Sequence, residues 1–280
     1  MRVVGTCLSV LMIATAIWPA ILLRERKPQE ISRQEKLPLL QSMGTAFRNR
    51  GFLCVASMIV FGQLAAVTFG QFSLYAQIYV LHKGNTQAGA MLAGWISVIH
   101  FFVFMVSIRI GSVLAQRYSK RRVMLIGAFF MLAAGFSKLV LYNPQYPWLA
   151  LFTPLLSAPP GAFGSFVVSA MMADVAFYDQ WKTGQRREAI YTATASWLYK
   201  VALSLSGVLG GALLVAIGFD VKFEGNQSDF TKAWLVIGLV LAGVLPALIQ
   251  FTAIWLYPLS PEVMERCKRD IDERDKAAES

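Results

Sequence analysis

The chain has 280 residues, 56% hydrophobic and 15% charged, with a mean hydropathy of +0.53. A soluble domain of this size does not keep so much apolar surface out of water, so the composition excludes one and indicates a membrane protein. The formal net charge is +10, but the basic residues cluster between long apolar runs, which fits the positive-inside rule better than a nucleic-acid groove.

A spanning helix needs ~20 mostly apolar residues. Seven stretches qualify: 3–23, 51–80, 89–113, 123–142, 148–173, 189–218 and 232–257. The first ends on the basic cluster Arg24-Glu25-Arg26-Lys27, a stop-transfer pattern. Arg2, an apolar region and small residues also fit a secretory signal peptide, although there the charges precede the apolar run. An external start with no leader leaves open that Met1 is not the natural beginning. Residues 24–50, with Pro28 and Pro38, read as a cytoplasmic linker between two bundles. The second and sixth stretches are long enough to tilt. In the fifth, Pro154 and Pro159-Pro160-Gly161 predict a kinked or broken helix. Residues 258–280 carry mixed charges and read as a solvated helical tail.

Loop charges give an orientation. Nineteen Lys and Arg fall in 24–50, 114–122, 174–188 and the tail, against four in the alternate segments. The four basic segments are therefore predicted to be cytoplasmic, with Met1 outside.

Charged residues inside apolar runs are expensive, ~2.5–3.5 kcal/mol at the bilayer centre on insertion scales. Arg109 and Lys138 each lie four residues from the end of a predicted helix, and both are expected to snorkel. Lys200 sits twelve residues into its helix, beyond the reach of snorkelling. Ser196 and Ser204 share its face, Thr192 lies a further turn away, and Gly207 and Gly211 add a GxxxG step. No carboxylate lies at matching depth, so the amine's acceptor is a carbonyl, a hydroxyl, a ligand, an acid outside this chain, or a packed neighbour in a purely structural role. On the 51–80 helix, Gln63, Gly70 and Gln77 share a face, and Gln71 lies about 80° round from Gln63. These amides fit either a neighbouring helix or a polar substrate. Asp174, Asp179, Lys182, Arg186, Arg187 and Glu188 crowd the loop 174–188, where ion pairs to helix ends are a plausible cytoplasmic gate.

Walker, GxSxG and HExxH patterns are absent, which argues against an ATP-driven pump and a membrane hydrolase. Cys7, Cys54 and Cys267 are far apart, His82 and His100 are solitary, and no metal or cofactor is expected.

The run ADxxxYDxWKTGQRRE, followed by an apolar helix with a central lysine and then GGxLL, resembles the glycoside–pentoside–hexuronide:cation symporters. That is the melibiose permease-like family of the major facilitator superfamily. The resemblance is most specific over 171–218. PPGxxG before the loop, GFD after the sixth helix and RERK after the first support it. It implies an all-α integral membrane protein, the C-terminal half of a major facilitator fold with about seven transmembrane helices. Residues 1–23 then correspond to helix six, 24–50 to the middle loop, 51–257 to the C-terminal six-helix bundle and 258–280 to a cytoplasmic tail. By the same resemblance, Lys200 matches the lysine at the sugar and cation sites, and Ser196 falls where the melibiose permease has a threonine near its cation site. Gln71 and Gln77 join them as candidate binding residues. Asp174, Asp179, Arg186, Arg187 and Glu188 form the candidate gate. Phe177 and Gln180 stand where the family has acids, which implies a divergent branch.

The implied activity is symport of a sugar or glycoside with Na⁺ or H⁺ across the bacterial inner membrane, by a non-enzymatic, multi-pass protein. Its partners are the lipid bilayer and an N-terminal six-helix bundle that this chain lacks, with no nucleic acid. The alternatives are a non-transporting half-bundle and a carrier of a lipid-like substrate.

Overall fold

The computed structural model describes residues 6, 9–15, 17, 39–185 and 187–279. The chain divides into two units, residues 1–41 and 42–280. In the first, residues 9–15 are helical, and Thr15 Oγ1 donates back to the carbonyls of Leu11 and Met12. Most of the linker expected at 24–50 lies outside the described residues.

The second unit opens with α1 (Leu39–Phe47) and continues through α2 (Arg50–Tyr75), α3 (Thr86–Arg117), α4 (Lys120–Leu141), α5 (Thr153–Thr183), α6 (Glu188–Ala216), α7 (Asp229–Trp255) and α8 (Pro261–Glu279). Among the described residues there is no strand. Six helical segments are long and apolar enough to cross a membrane. They begin and end within about four residues of the expected spans, with one exception at the end of α5.

Local sequence explains the starts. Asn49 Oδ1 accepts from the amides of Gly51 and Phe52, Asn85 from Ala88, Ser119 from Arg122 and Ser228 from Thr231. Each side chain satisfies donors that the first helical turn leaves free. The helix α2 does not stop at Tyr75. It runs into a π-helical turn, Ala76–Leu81, in which all six residues are buried.

Two expectations are corrected. The helix expected to kink or break at its prolines is not broken: it runs from Thr153 to Thr183, with Pro159 and Pro160 inside it and a 3₁₀ turn, Pro147–Phe152, ahead of it. A spanning helix tolerates proline where neighbouring groups compensate for the lost amide bond. The same helix continues ten residues past its expected end. Asp174, Asp179 and Lys182, expected in a loop, therefore lie on the last turns of this helix. Gly184, at φ 72°, ends it in the left-handed conformation that glycine adopts without penalty.

Packing runs α6–α2–α7–α4–α5–α3. Every seam carries a glycine against which the partner lies close: Gly210 at α2–α6, Gly238 at α2–α7, Gly135 and Gly243 at α4–α7, Gly127 at α4–α5 and Gly111 at α3–α5. Inside lipid, where hydrophobic burial does little to join helices, such small residues let dispersion contacts form. One apolar cluster, around Phe52, Val55, Met171 and Ile254, fills the end of the bundle that bears Arg50, Lys120 and Arg187. A second, around Phe72, Leu235 and Leu239, fills the opposite end. The broad apolar face of α3, from Met91 through Phe102 to Val113, is exposed, as a lipid-facing surface is.

Candidate functional site

The helix α6 packs through one stripe. Tyr191, Thr194, Ala202, Ser206, Gly210 and Leu214 are buried. Lys200 is two residues before Ala202 and therefore about 200° away around the helix. It is exposed, as are Ser196, Ser204, Gly207 and Gly211. The sequence groups these residues on one face, and the structure places that face away from the bundle's own core. Neither Gly207 nor Gly211 meets anything within 4 Å. The glycine that admits close contact is Gly210, where an added Cβ would collide with the Gln71 amide.

The glutamines do not join Lys200. Gln71 lies in the α2–α6 seam beside Gly210, ten residues or ~15 Å along the helix from Lys200. Its buried Oε1 has no hydrogen-bond partner among the described residues. Gln77 falls in the π-helical turn and faces inward, 2% exposed. Its Nε2 donates to Ser73 Oγ at 2.9 Å and to the Tyr142 hydroxyl at 3.2 Å, while Ser73 and Tyr142 share a 2.6 Å hydrogen bond. Gly70, seven residues earlier, is exposed, so the two positions do not share one environment.

Beside this network lies a residue that sequence reasoning misplaced. Lys138 does not snorkel; it is 1% exposed. Its Nζ lies 4.7 Å from the centroid of Phe69 and 5.4 Å from that of Tyr142. Cation–π contact in a desolvated site contributes about 2 kcal/mol or more, comparable with the insertion cost of the charge. Four residues from a helix end is near enough to snorkel only on a lipid-facing side, and Lys138 is on the inner one. The spacing of Lys138 and Tyr142, i and i+4, was the available signal.

At the basic end, side chains tie helix ends together. Lys120 Nζ reaches Asp174 Oδ2 at 2.7 Å and the Ala170 carbonyl at 3.3 Å, joining α4 to α5. Arg121 donates to the Trp255 carbonyl at 2.7 Å and lies over its ring, a cation placed at the C-terminus of α7. The Tyr191 hydroxyl accepts from Asn49 Nδ2 at 3.2 Å and meets Asp179. Trp181 Nε1 donates to Asp270 at 2.9 Å, docking α8 on α5. This corrects the expectation of a fully solvated tail, since Cys267 is buried and Val263 and Met264 pack on the core. Of the five candidate gate residues, Asp174 and Asp179 lie on the last turns of α5. Arg187 bonds Gln185 at 2.6 and 2.9 Å, Glu188 is exposed at the start of α6, and Arg186 lies outside the described residues.

Six membrane-length helices, glycine seams and an internal lysine facing outward define a multi-pass membrane protein. The chain belongs to the MFS/sugar transport protein family, which it matches over residues 1–261. Among curated relatives it is similar to an uncharacterized symporter of Synechocystis sp. (29% identity, 69% of this chain and 34% of the relative). It is also similar to the isoprimeverose transporter of Lactiplantibacillus pentosus (26%, 79% and 46%) and to an uncharacterized symporter of Bacillus subtilis (26%, 86% and 50%). The chain thus spans between a third and a half of the length of these relatives.

Proposed function

We propose that this chain forms the C-terminal part of a symporter that moves a sugar or glycoside together with Na⁺ or H⁺ by alternating access. The observation that carries the reading is the α6 stripe. Lys200 and Ser196 are exposed on a face turned away from the bundle, and an ammonium at that depth is too costly to face hydrocarbon. A second six-helix bundle would supply the opposing wall and the acids that pair with Lys200. The names of the relatives, an isoprimeverose transporter among them, support a glycoside as substrate. The ties of α4, α5 and α6 at the basic end support a gate there; the positive-inside bias of the same segments supports taking that end as cytoplasmic, with the C-terminus inside and the start of the chain outside a bacterial plasma membrane.

In the complete transporter, Lys200→Ala is expected to abolish concentrative uptake, measured with a labelled glycoside in intact cells. Collapsing the Na⁺ and H⁺ gradients in turn identifies the coupling ion. Accumulation retained by the variant would sink the reading.

A further inference from the structure

Residues 117–122, where α3 passes into α4, hold four basic side chains: Arg117, Lys120, Arg121 and Arg122. They are not equivalent. Lys120 is neutralised by Asp174 at 2.7 Å. Arg121 is fixed by α7: its Nη2 donates to the Trp255 carbonyl at 2.7 Å, and its guanidinium lies over the Trp255 ring, 5.2 Å from the centroid. That bond uses one N–H of the fork and leaves the others for a further acceptor. Arg122, the next residue, is exposed. Neither Arg121 nor Arg122 is ion-paired with a carboxylate among the described residues. A guanidinium keeps its charge in a protein, so both charges are fixed.

Below this cationic end the same surface is apolar to the depth of a lipid leaflet. Arg122, Phe129 and Phe136 recur every seven residues and so share one face of α4, and all three are exposed. On α7, Trp255, Leu248 and Leu241 have the same spacing and are exposed as well. The two helices meet where Gly135 lies against Gly243, and Arg121 spans them at the basic end. From Arg122 to Phe136 is ~21 Å along the helix, more than the ~15 Å of one hydrocarbon leaflet. A soluble anion needs only the cationic end. Fixed charge at headgroup level above two apolar stripes matches both parts of a phospholipid, and an exposed tryptophan at the junction suits that interface.

We propose that this surface of α4 and α7 binds an anionic phospholipid. The guanidinium groups of Arg121 and Arg122 donate to the phosphate oxygens, which their planar fork geometry fits. The acyl chains lie along the Phe129–Phe136 and Leu248–Leu241 stripes. Trp255 holds Arg121 through its ring and its carbonyl and so presets the headgroup site. The Lys200 stripe lies on another helix, and this site does not depend on the transport reading.

The test uses the full chain in phosphatidylcholine nanodiscs with phosphatidylglycerol added in steps, and follows thermal unfolding by tryptophan fluorescence. In a parallel arm, inorganic phosphate is titrated against chloride at matched ionic strength, without phosphatidylglycerol. Phosphatidylglycerol is expected to raise Tm. Arg122→Gln leaves the Arg121–Trp255 tie intact and should weaken that response several-fold; adding Arg121→Gln should bring the loss to about ten-fold. Arg48→Gln with Lys182→Gln removes two exposed charges from other elements and should leave the response unchanged. A response weakened by Arg122→Gln and kept in that control supports the proposal. No response to phosphatidylglycerol, an Arg122→Gln response equal to wild type, or equal losses in the two double variants overturns it. So does an equal rise with inorganic phosphate, which would make the site one for a soluble anion. Arg122 carries the decision, because its replacement disturbs no described contact.

Discussion

Two lysines inside apolar helices received different sequence readings, and the structure separates them by direction as much as by depth. Lys200 was legible because nothing within a side chain's reach of it is an interface. Lys138 was not, because distance from a helix end says nothing about which side of the helix faces lipid. The glycines of α6 show the same limit. Gly207 and Gly211 have the spacing of a helix-contact motif, yet the α2 seam is made by Gly210, one residue out of phase. Gly210→Val is therefore expected to force the Gln71 amide out of its place and to destabilise the bundle by about 1–3 kcal/mol, the usual cost of overpacking. Gly207→Val, on the same helix with open space around it, is the control for lost backbone freedom and should change Tm far less. Equal losses in a detergent melt would show that Gly210 has no special part in the seam.

At the scale of elements, hydropathy located six helices because a bilayer imposes a length that composition reveals directly. It failed where a helix leaves the bilayer. The last turns of α5 are charged, so the apolar count ends ten residues before the hydrogen bonding does, and only Gly184 marks the real stop. The docking of α8 was hidden for a related reason. Its single buried cysteine and two partly buried neighbours are too few to stand out among its charges, and its anchor, Trp181–Asp270, joins residues 89 apart. A consequence concerns Cys267. Burial pushes its thiol above the ordinary range, and the neighbouring Asp270 carboxylate raises it further. A raised thiol pKa leaves less thiolate at pH 8, so maleimide labelling should be slow and should keep rising about ten-fold per pH unit until the pH passes that pKa. With Cys7 and Cys54 replaced by serine, Asp270→Ala removes both the like charge and the Trp181 contact. Labelling at pH 8 should then accelerate several-fold. An unchanged rate would mean that α8 is not held by that contact.

At the scale of the whole molecule, the Lys200 stripe on α6 is exposed while the opposite stripe of the same helix is buried. Each seam of the bundle carries a glycine against which the partner helix lies close, but the Lys200 stripe has no counterpart among the described residues, and the described chain offers no acid at its depth. The polar face of one helix was readable from period 3.6 alone. What stands opposite it was not, because that depends on residues this chain does not contain in the proposed assembly. The stripe faces either lipid or a water-filled cavity, and the two differ in chemistry that can be measured. A thiolate forms in water and hardly at all in hydrocarbon, and hydrophilic methanethiosulfonates react with the thiolate. Lys200→Cys, placed in the complete transporter with Cys7, Cys54 and Cys267 replaced, is expected to react with a charged methanethiosulfonate. Substrate should slow that reaction, because a bound glycoside would occupy the space in front of residue 200. Ile237→Cys, on α7 at a partly exposed apolar position, supplies the reference for a hydrocarbon environment. If residue 200 is as unreactive as residue 237, the stripe faces lipid, and a cavity wall built on Lys200 has to be abandoned.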